Sequence, residues 1–440
     1  MSTTGNRSRQ LLIGERINAT YRKSLEPLHQ HNCFIEALPE ALTPEKVTKL
    51  IARYPFYDER ERSLPDLQRL AAVQRISSCI FPMPEFLEFE QKFSRMIRNG
   101  YLGRNPEDGE WIRQMRAGFP DLDFDQDGLG FKPLIRSTAA GFTVVGTSGV
   151  GKSTIVESIL GLNPQIIVHT EYNGKPFDQQ QLVWLKLECP FDGSLKGLCL
   201  SFFAAVDEIL GTRHSAQYAN SRRWTAIELL PAMAKLAATL GLGVLVIDEI
   251  QRLSKAASGG AQMMLKFFIQ LTNTFGVPVV LIGTYEALAL FTGNFAMARR
   301  AAGQGDVIIS NLKHDEYWTH FLNKLWRYQW TKEPTPLTPP LNRAMYNESQ
   351  GIVDIAVKLY MLAQWSIIGE ESELLTPKII KDVALKNFNA ARPILQALRY
   401  NDTEALSRIT DIAPKFNQLE QFLAQAGQAG HSFRNAEHPC

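Results

Sequence analysis

The run GTSGVGKS, residues 146–153, constrains this chain more than any other stretch: it fits GxxxxGK[ST] and lies directly between an apolar β-rich segment, FTVVG, and a helical pattern, STIVESILG. In that setting the glycines let the backbone turn its N–H groups onto a phosphate, and the helix start adds the positive end of its dipole. Gly146, Thr147, Ser148, Gly149, Val150, Gly151, Lys152, Ser153 and Thr154 are therefore the candidate nucleotide-binding residues. Lys152 is expected to reach the β- and γ-phosphates of ATP, and Ser153 to ligate Mg2+.

A phosphate loop of this kind leaves the carboxyl end of a strand in a parallel sheet, and the following sequence predicts such a sheet. FTVVG (142–146), LVWLKLE (182–188), LGVLVIDE (242–249), VPVVLIGT (277–284) and DVIISN (306–311) are apolar runs separated by helical patterns. Runs of this length without polar alternation are buried on both faces, as in α/β proteins. The expected fold is α/β, with a parallel five-stranded sheet over residues 135–310 and a helical lid over 311–395, where no strand pattern occurs. Tyr317, Phe321 and Leu325, four apart in the aromatic stretch EYWTHFLNKLWRYQW, are read as lid core rather than a base-stacking platform.

Residues 1–134 are expected to form a helical and irregular interaction region. Prolines interrupt the first part, Leu67, Leu70, Val73 and Ile76 recur at a helical period, and 103–133 read as loop or insertion. Residues 396–440 turn polar and are expected to be a partner-binding tail.

Two carboxylates, Asp248 and Glu249, end the apolar run VLVI, at the sheet edge where α/β folds place ligands. Asp248 is positioned to hold the Mg2+ shell, and Glu249 to orient or deprotonate an attacking water. Thr284 ends the next strand, where its hydroxyl can meet the γ-phosphate or the water, or cap the following helix.

Composition narrows the partners. Lys and Arg number 47 against 45 Asp and Glu, so nucleic acid would have to be held by a local patch rather than a bulk field. Cys33, Cys79, Cys189, Cys199 and Cys440 show no metal-ligand spacing and are expected to be reduced thiols of a cytoplasmic protein. The first residues lack the apolar core of a signal peptide, and no later run has the length of a membrane span, so no membrane partner is expected. Asp123, Asp125, Asp127 and Gly128 open like a calcium-binding loop, but its twelfth position is Leu134 rather than Glu, which removes the bidentate ligand.

GTSGVGKST, LGVLVIDEIQRLS, FFIQLTNTFGVPVVLIGTYEA and ARRAAGQGD together resemble the TnsC/TniB group of AAA+ ATPases, regulators of transposition in Tn-seven-like transposons. The resemblance spans roughly residues 135–395 and is most specific at DEIQ and the strand ending in Thr284. It implies an ATPase that forms a homo-oligomeric ring or filament on double-stranded DNA, is engaged by a target selector of TnsD/TniQ type, and recruits transposase subunits. It further implies Thr284 as first sensor, an arginine finger at Arg299 or Arg300 reaching a neighbour's ATP, and DNA contacts on axis-facing loops, here Lys196 and Lys255. One position departs: the second-sensor motif GxxR becomes Gly351, Ile352, Val353, Asp354, leaving that sensor absent, displaced or replaced by Lys358. A protein-only signalling switch and a replication-initiator or clamp-loader ATPase are the alternatives. Neither the sensor repeats of the first nor the helix-turn-helix module of the second is evident.

Overall fold

The computed structural model describes residues 11–117, 137–218, 223–256, 259–287, 290, 305–400 and 402. Its centre is the expected five-stranded parallel sheet: β2 (Phe142–Gly146), β5 (Trp184–Glu188), β6 (Val244–Asp248), β7 (Val279–Gly283) and β8 (Val307–Ile309), in the order β5-β6-β7-β2-β8. Alternation along each strand divides the core by face. Leu245 and Ile247 pack on one side with Val279 and Leu281, whereas Val244 and Val246 pack on the other with Val280 and Ile282. Both faces are covered, which is why these strands read as continuous apolar runs.

The first face is covered by the helices α3 (Leu195–Leu210), α4 (Ala226–Thr239) and α5 (Gly260–Asn273). The second is covered by α2 (Lys152–Leu160) together with α1 (Pro84–Leu102), whose Phe86, Phe89, Phe93, Met96, Ile97 and Tyr101 are buried at helical spacing. Residues 33–51 join the same cluster through Phe34, Ile35, Val47 and Ile51. The N-terminal region, expected to be an interaction region, thus supplies part of the core around the parallel sheet.

A second sheet, β1 (Arg16–Asn18), β3 (Ile166–Tyr172) and β4 (Lys175–Leu182), is absent from the sequence reading, which ran a single strand from 182 to 188. The chain instead ends β4 at Leu182, paired with Ile166, and starts β5 at Trp184, paired with Val244. The hairpin turns at Asn173 and Gly174, both with positive φ, the pair that tight hairpin turns favour.

The lid packs α6 (Glu316–Trp326), α7 (Pro339–Ser349), α8 (Val353–Ile367) and α9 (Pro377–Asn387) around one apolar cluster. Of the expected aromatic stripe Phe321 and Leu325 are buried, with Leu322 beside them, but Tyr317 is 61% exposed and Trp318 takes its place in the core. The helical segment 66–78 also packs here through Ala72, Val73 and Ile76, with Leu67 turned to solvent. Arg69 locks that segment to the lid: its guanidinium donates to both oxygens of Glu373 and to the Trp330 carbonyl, all out of water. Among the described residues no helix is long and apolar enough to cross a membrane. The calcium-like Asp123–Gly128 stretch lies outside the described residues.

Candidate functional site

The site lies at the carboxyl edge of the sheet, where β2, β6 and β7 end side by side. Gly146 closes β2 against β8 so tightly that an added Cβ would stand 2.4 Å from the Ile309 carbonyl oxygen. Gly151, at φ +97°, turns the chain into α2 in the left-handed region that glycine occupies without cost. Between them Thr147 and Val150 are buried, and Ser148 and Gly149 face solvent, as does Thr154 on the helix.

Lys152 folds over this loop, its Nζ donating to the Gly146 and Thr147 carbonyls at 2.8 Å each. Ser153, on the first turn of α2, donates its hydroxyl to Asp248 Oδ2 at 2.9 Å. The other Asp248 oxygen accepts the Glu249 backbone N–H at 2.9 Å. A hydroxyl oxygen and a carboxylate held this close match the donor set of Mg2+, which takes one or two protein oxygens and completes its shell with phosphate and water. Among the described residues no group of three or more His, Cys, Asp or Glu forms a separate metal site.

Lys186 was not singled out in the sequence, although a lysine inside WLKLE breaks an otherwise apolar strand. Its Nζ contacts Asp248 Oδ2 at 3.1 Å and Glu157 Oε1 at 2.8 Å. Burial pulls its pKa down, but the Asp248 and Glu157 carboxylates outweigh burial and raise it above the usual lysine value.

Glu249 takes φ +60° and ψ +36°, a left-handed conformation rare for a residue with a side chain. The chain then turns through the short 3-10 segment Ile250–Lys255. Gln251 donates from Nε2 to Glu249 Oε2 at 2.7 Å, and its Oε1 accepts the Thr284 N–H at 3.2 Å. Thr284 is buried, and its hydroxyl makes no hydrogen bond, so the side chain does not cap the helix that follows.

The lid touches the loop directly. The Asp354 N–H points to the Gly149 carbonyl at 3.4 Å, and a Cβ on Gly149 would lie 3.6 Å from the Asp354 Cβ. Lys358, one turn along α8, pairs with the Asp354 carboxylate at 2.6 Å. The departure from GxxR therefore sets an acid–base pair, rather than a lone arginine, on the lid helix that meets the phosphate loop.

The remaining candidates divide. Lys255 is exposed at the end of the 3-10 segment, with Nζ 4.8 Å from the ring centroid of Phe191, itself 76% exposed. Arg252 joins the two loops, donating to the Cys189 carbonyl at 2.7 Å and to Glu188 at 3.2 Å. Lys196 is half-buried in the first turn of α3. Arg299 and Arg300 lie outside the described residues.

Residues 135–291 match the family described as AAA domain. With the strand order above, the core has the AAA+ P-loop fold of a nucleotide-hydrolysing ATPase family. No curated protein matches the chain. The Aeropyrum pernix ORC1 protein in complex with DNA is similar at 13% identity and a TM-score of 0.42, over 69% of this chain and 66% of that one. The Aeropyrum pernix ORC2 protein (ADPNP-ADP complexes) gives 12% and 0.37 over 56% and 62%, and Drosophila ORC bound to DNA gives 12% and 0.41 over 88% and 92%. The chain spans less than two thirds of the length of either Aeropyrum pernix protein.

Proposed function

We propose that this chain hydrolyses MgATP at the Gly146–Ser153 loop, oligomerises on double-stranded DNA when ATP is bound, and links target-site selection to transposase recruitment in DNA transposition. The observation that carries the ATPase reading is the 2.9 Å contact of Ser153 Oγ with Asp248 Oδ2, which joins the phosphate loop to the carboxylate pair. On this reading Lys152 exchanges the Gly146 and Thr147 carbonyls for phosphate oxygens, and Ser153 and Asp248 hold the metal. Mg2+ bound there would neutralise charge developing on the transferred phosphoryl group. Glu249 takes a proton from the water that attacks the γ-phosphorus as the bond to the β–γ bridging oxygen breaks. The buried, unbonded Thr284 hydroxyl is a sensor for that phosphoryl group, and Arg299 or Arg300 completes a neighbour's site.

The division into an ATPase core at 135–310, a lid at 311–395 and a partner-binding tail at 396–440 belongs to the same reading. The exposed Lys255, held with Phe191 on two loops that Arg252 ties together, supports a DNA-facing edge. The transposition role rests on the likeness of GTSGVGKST, DEIQ and the strand ending in Thr284 to the TnsC/TniB group.

Size-exclusion chromatography with a non-hydrolysable ATP analogue and duplex DNA tests the proposal. An assembly that forms only with both, and that weakens with salt by about 0.9 log unit per log unit for each phosphate neutralised, is the expected result. Lys255→Ala should reduce that slope. A chain that never associates with duplex in any nucleotide state would contradict the DNA reading and leave the ATPase intact.

A further inference from the structure

We propose that Gln251 is a positioning residue for ATP hydrolysis, holding the Glu249 carboxylate in register with the end of β7 and so with Thr284. The inference rests on the reading of Glu249 as the carboxylate that activates water.

Its basis is a two-ended bridge. One end of the amide donates to Glu249 Oε2 at 2.7 Å, and the other accepts the Thr284 N–H at 3.2 Å. Only a side chain with both a donor and an acceptor can satisfy this pair, because a carboxylate accepts only and a backbone N–H donates only. The same requirement fixes which end of the amide is nitrogen. The backbone is shaped to allow the bridge. Glu249 adopts the left-handed conformation, and the chain reverses through the Arg252 N–H to Glu249 carbonyl bond at 3.0 Å, bringing the side chain two residues on back to the carboxylate. Gly283 leaves the space: a Cβ there would stand 2.9 Å from Gln251 Oε1 and 2.7 Å from Ile250 Cγ2.

A long carboxylate side chain free to rotate spends little time in the orientation that takes a proton from a fixed water, and small displacements of a catalytic group cost large factors in rate. The bridge removes that freedom. It also joins Glu249 to the backbone of Thr284, the residue whose hydroxyl is buried and unbonded.

The test uses the full chain with duplex DNA present. Gln251→Ala and the volume-preserving Gln251→Met should lower kcat about tenfold to a hundredfold with nucleotide affinity unchanged. Gln251→Glu should do no better, since it cannot donate to Glu249. The distinguishing readout is a double-mutant cycle: in a Glu249→Gln background, Gln251→Ala should cost almost nothing further, because its effect passes through the carboxylate. Losses that multiply instead, a loss shared equally by nucleotide affinity, or turnover in Gln251→Met equal to or above wild type would each overturn the proposal. Near wild-type turnover in Glu249→Gln alone would overturn the underlying reading of Glu249 instead.

Discussion

Ser153 Oγ and Lys186 Nζ converge on one oxygen of Asp248, at 2.9 and 3.1 Å. The carboxylate expected to help hold a divalent cation is therefore already compensated by a largely buried ammonium, which the half-exposed Glu157 shares. Removing one partner of a buried charge cluster costs about 3 to 5 kcal/mol, because the others are left uncompensated. Lys186→Met should accordingly lower stability by about 3 kcal/mol in the absence of metal. Added Mg2+ should recover part of the loss, measured by urea unfolding. An unaltered midpoint would show that Lys186 does not balance Asp248.

The Asp354–Lys358 pair meets the phosphate loop at Gly149. A carboxylate at that position repels phosphate, and Lys358 offsets it. Lys358→Met should weaken ATP binding about threefold to tenfold, since a charge pair near a protein surface is worth on the order of 1 kcal/mol. Asp354→Asn in the same chain should restore it. Equal affinities across the series, read by nucleotide fluorescence titration, would show that α8 does not sense ATP through these charges.

Acid should loosen the lid through Glu373. Burial alone would raise its pKa, but the hydrogen bonds from Arg69 and from the Gly369 and Lys332 N–H groups outweigh burial and bring it down from 4.5 to about 2. A carboxyl depressed in the folded state stabilises above its unfolded value, and that contribution fades as pH falls from 4.5 towards 2. The contribution is about 3 kcal/mol. Glu373→Gln should therefore be less stable than wild type at neutral pH, and the gap should close across that window in denaturant unfolding. A gap that stays constant with pH would assign the loss to packing instead.

The phosphate loop, the acidic strand end and the order of apolar runs were legible because each is a local pattern with one physical cause. The glycines at 146 and 151 and the doubly buried strands can be read without tertiary knowledge. The small sheet was not read, although Asn173-Gly174 is a hairpin signal, because the polar KPFDQQQ of β4 lacks the apolar–polar alternation of a half-buried strand. In the lid stripe Phe321 and Leu325 were legible but Tyr317 stood in for Trp318, because both fit a helical period and only the packing of α6 decides which turns inward. Lys186 and Gln251 could not be assigned from spacing, since Asp248, which Lys186 meets, and Thr284, which Gln251 meets, are distant in sequence and only the sheet brings them together.

The central claim is tested most directly by measuring nucleotide binding and phosphate release for wild type and Glu249→Gln. This change keeps the size and hydrogen bonding of the side chain and removes its charge. Lys152, Ser153 and Asp248 are untouched, so MgATP affinity should stay within about twofold while turnover falls by about two to four orders of magnitude. Retained affinity with lost turnover is the predicted result; phosphate release by Glu249→Gln at the wild-type rate would contradict it.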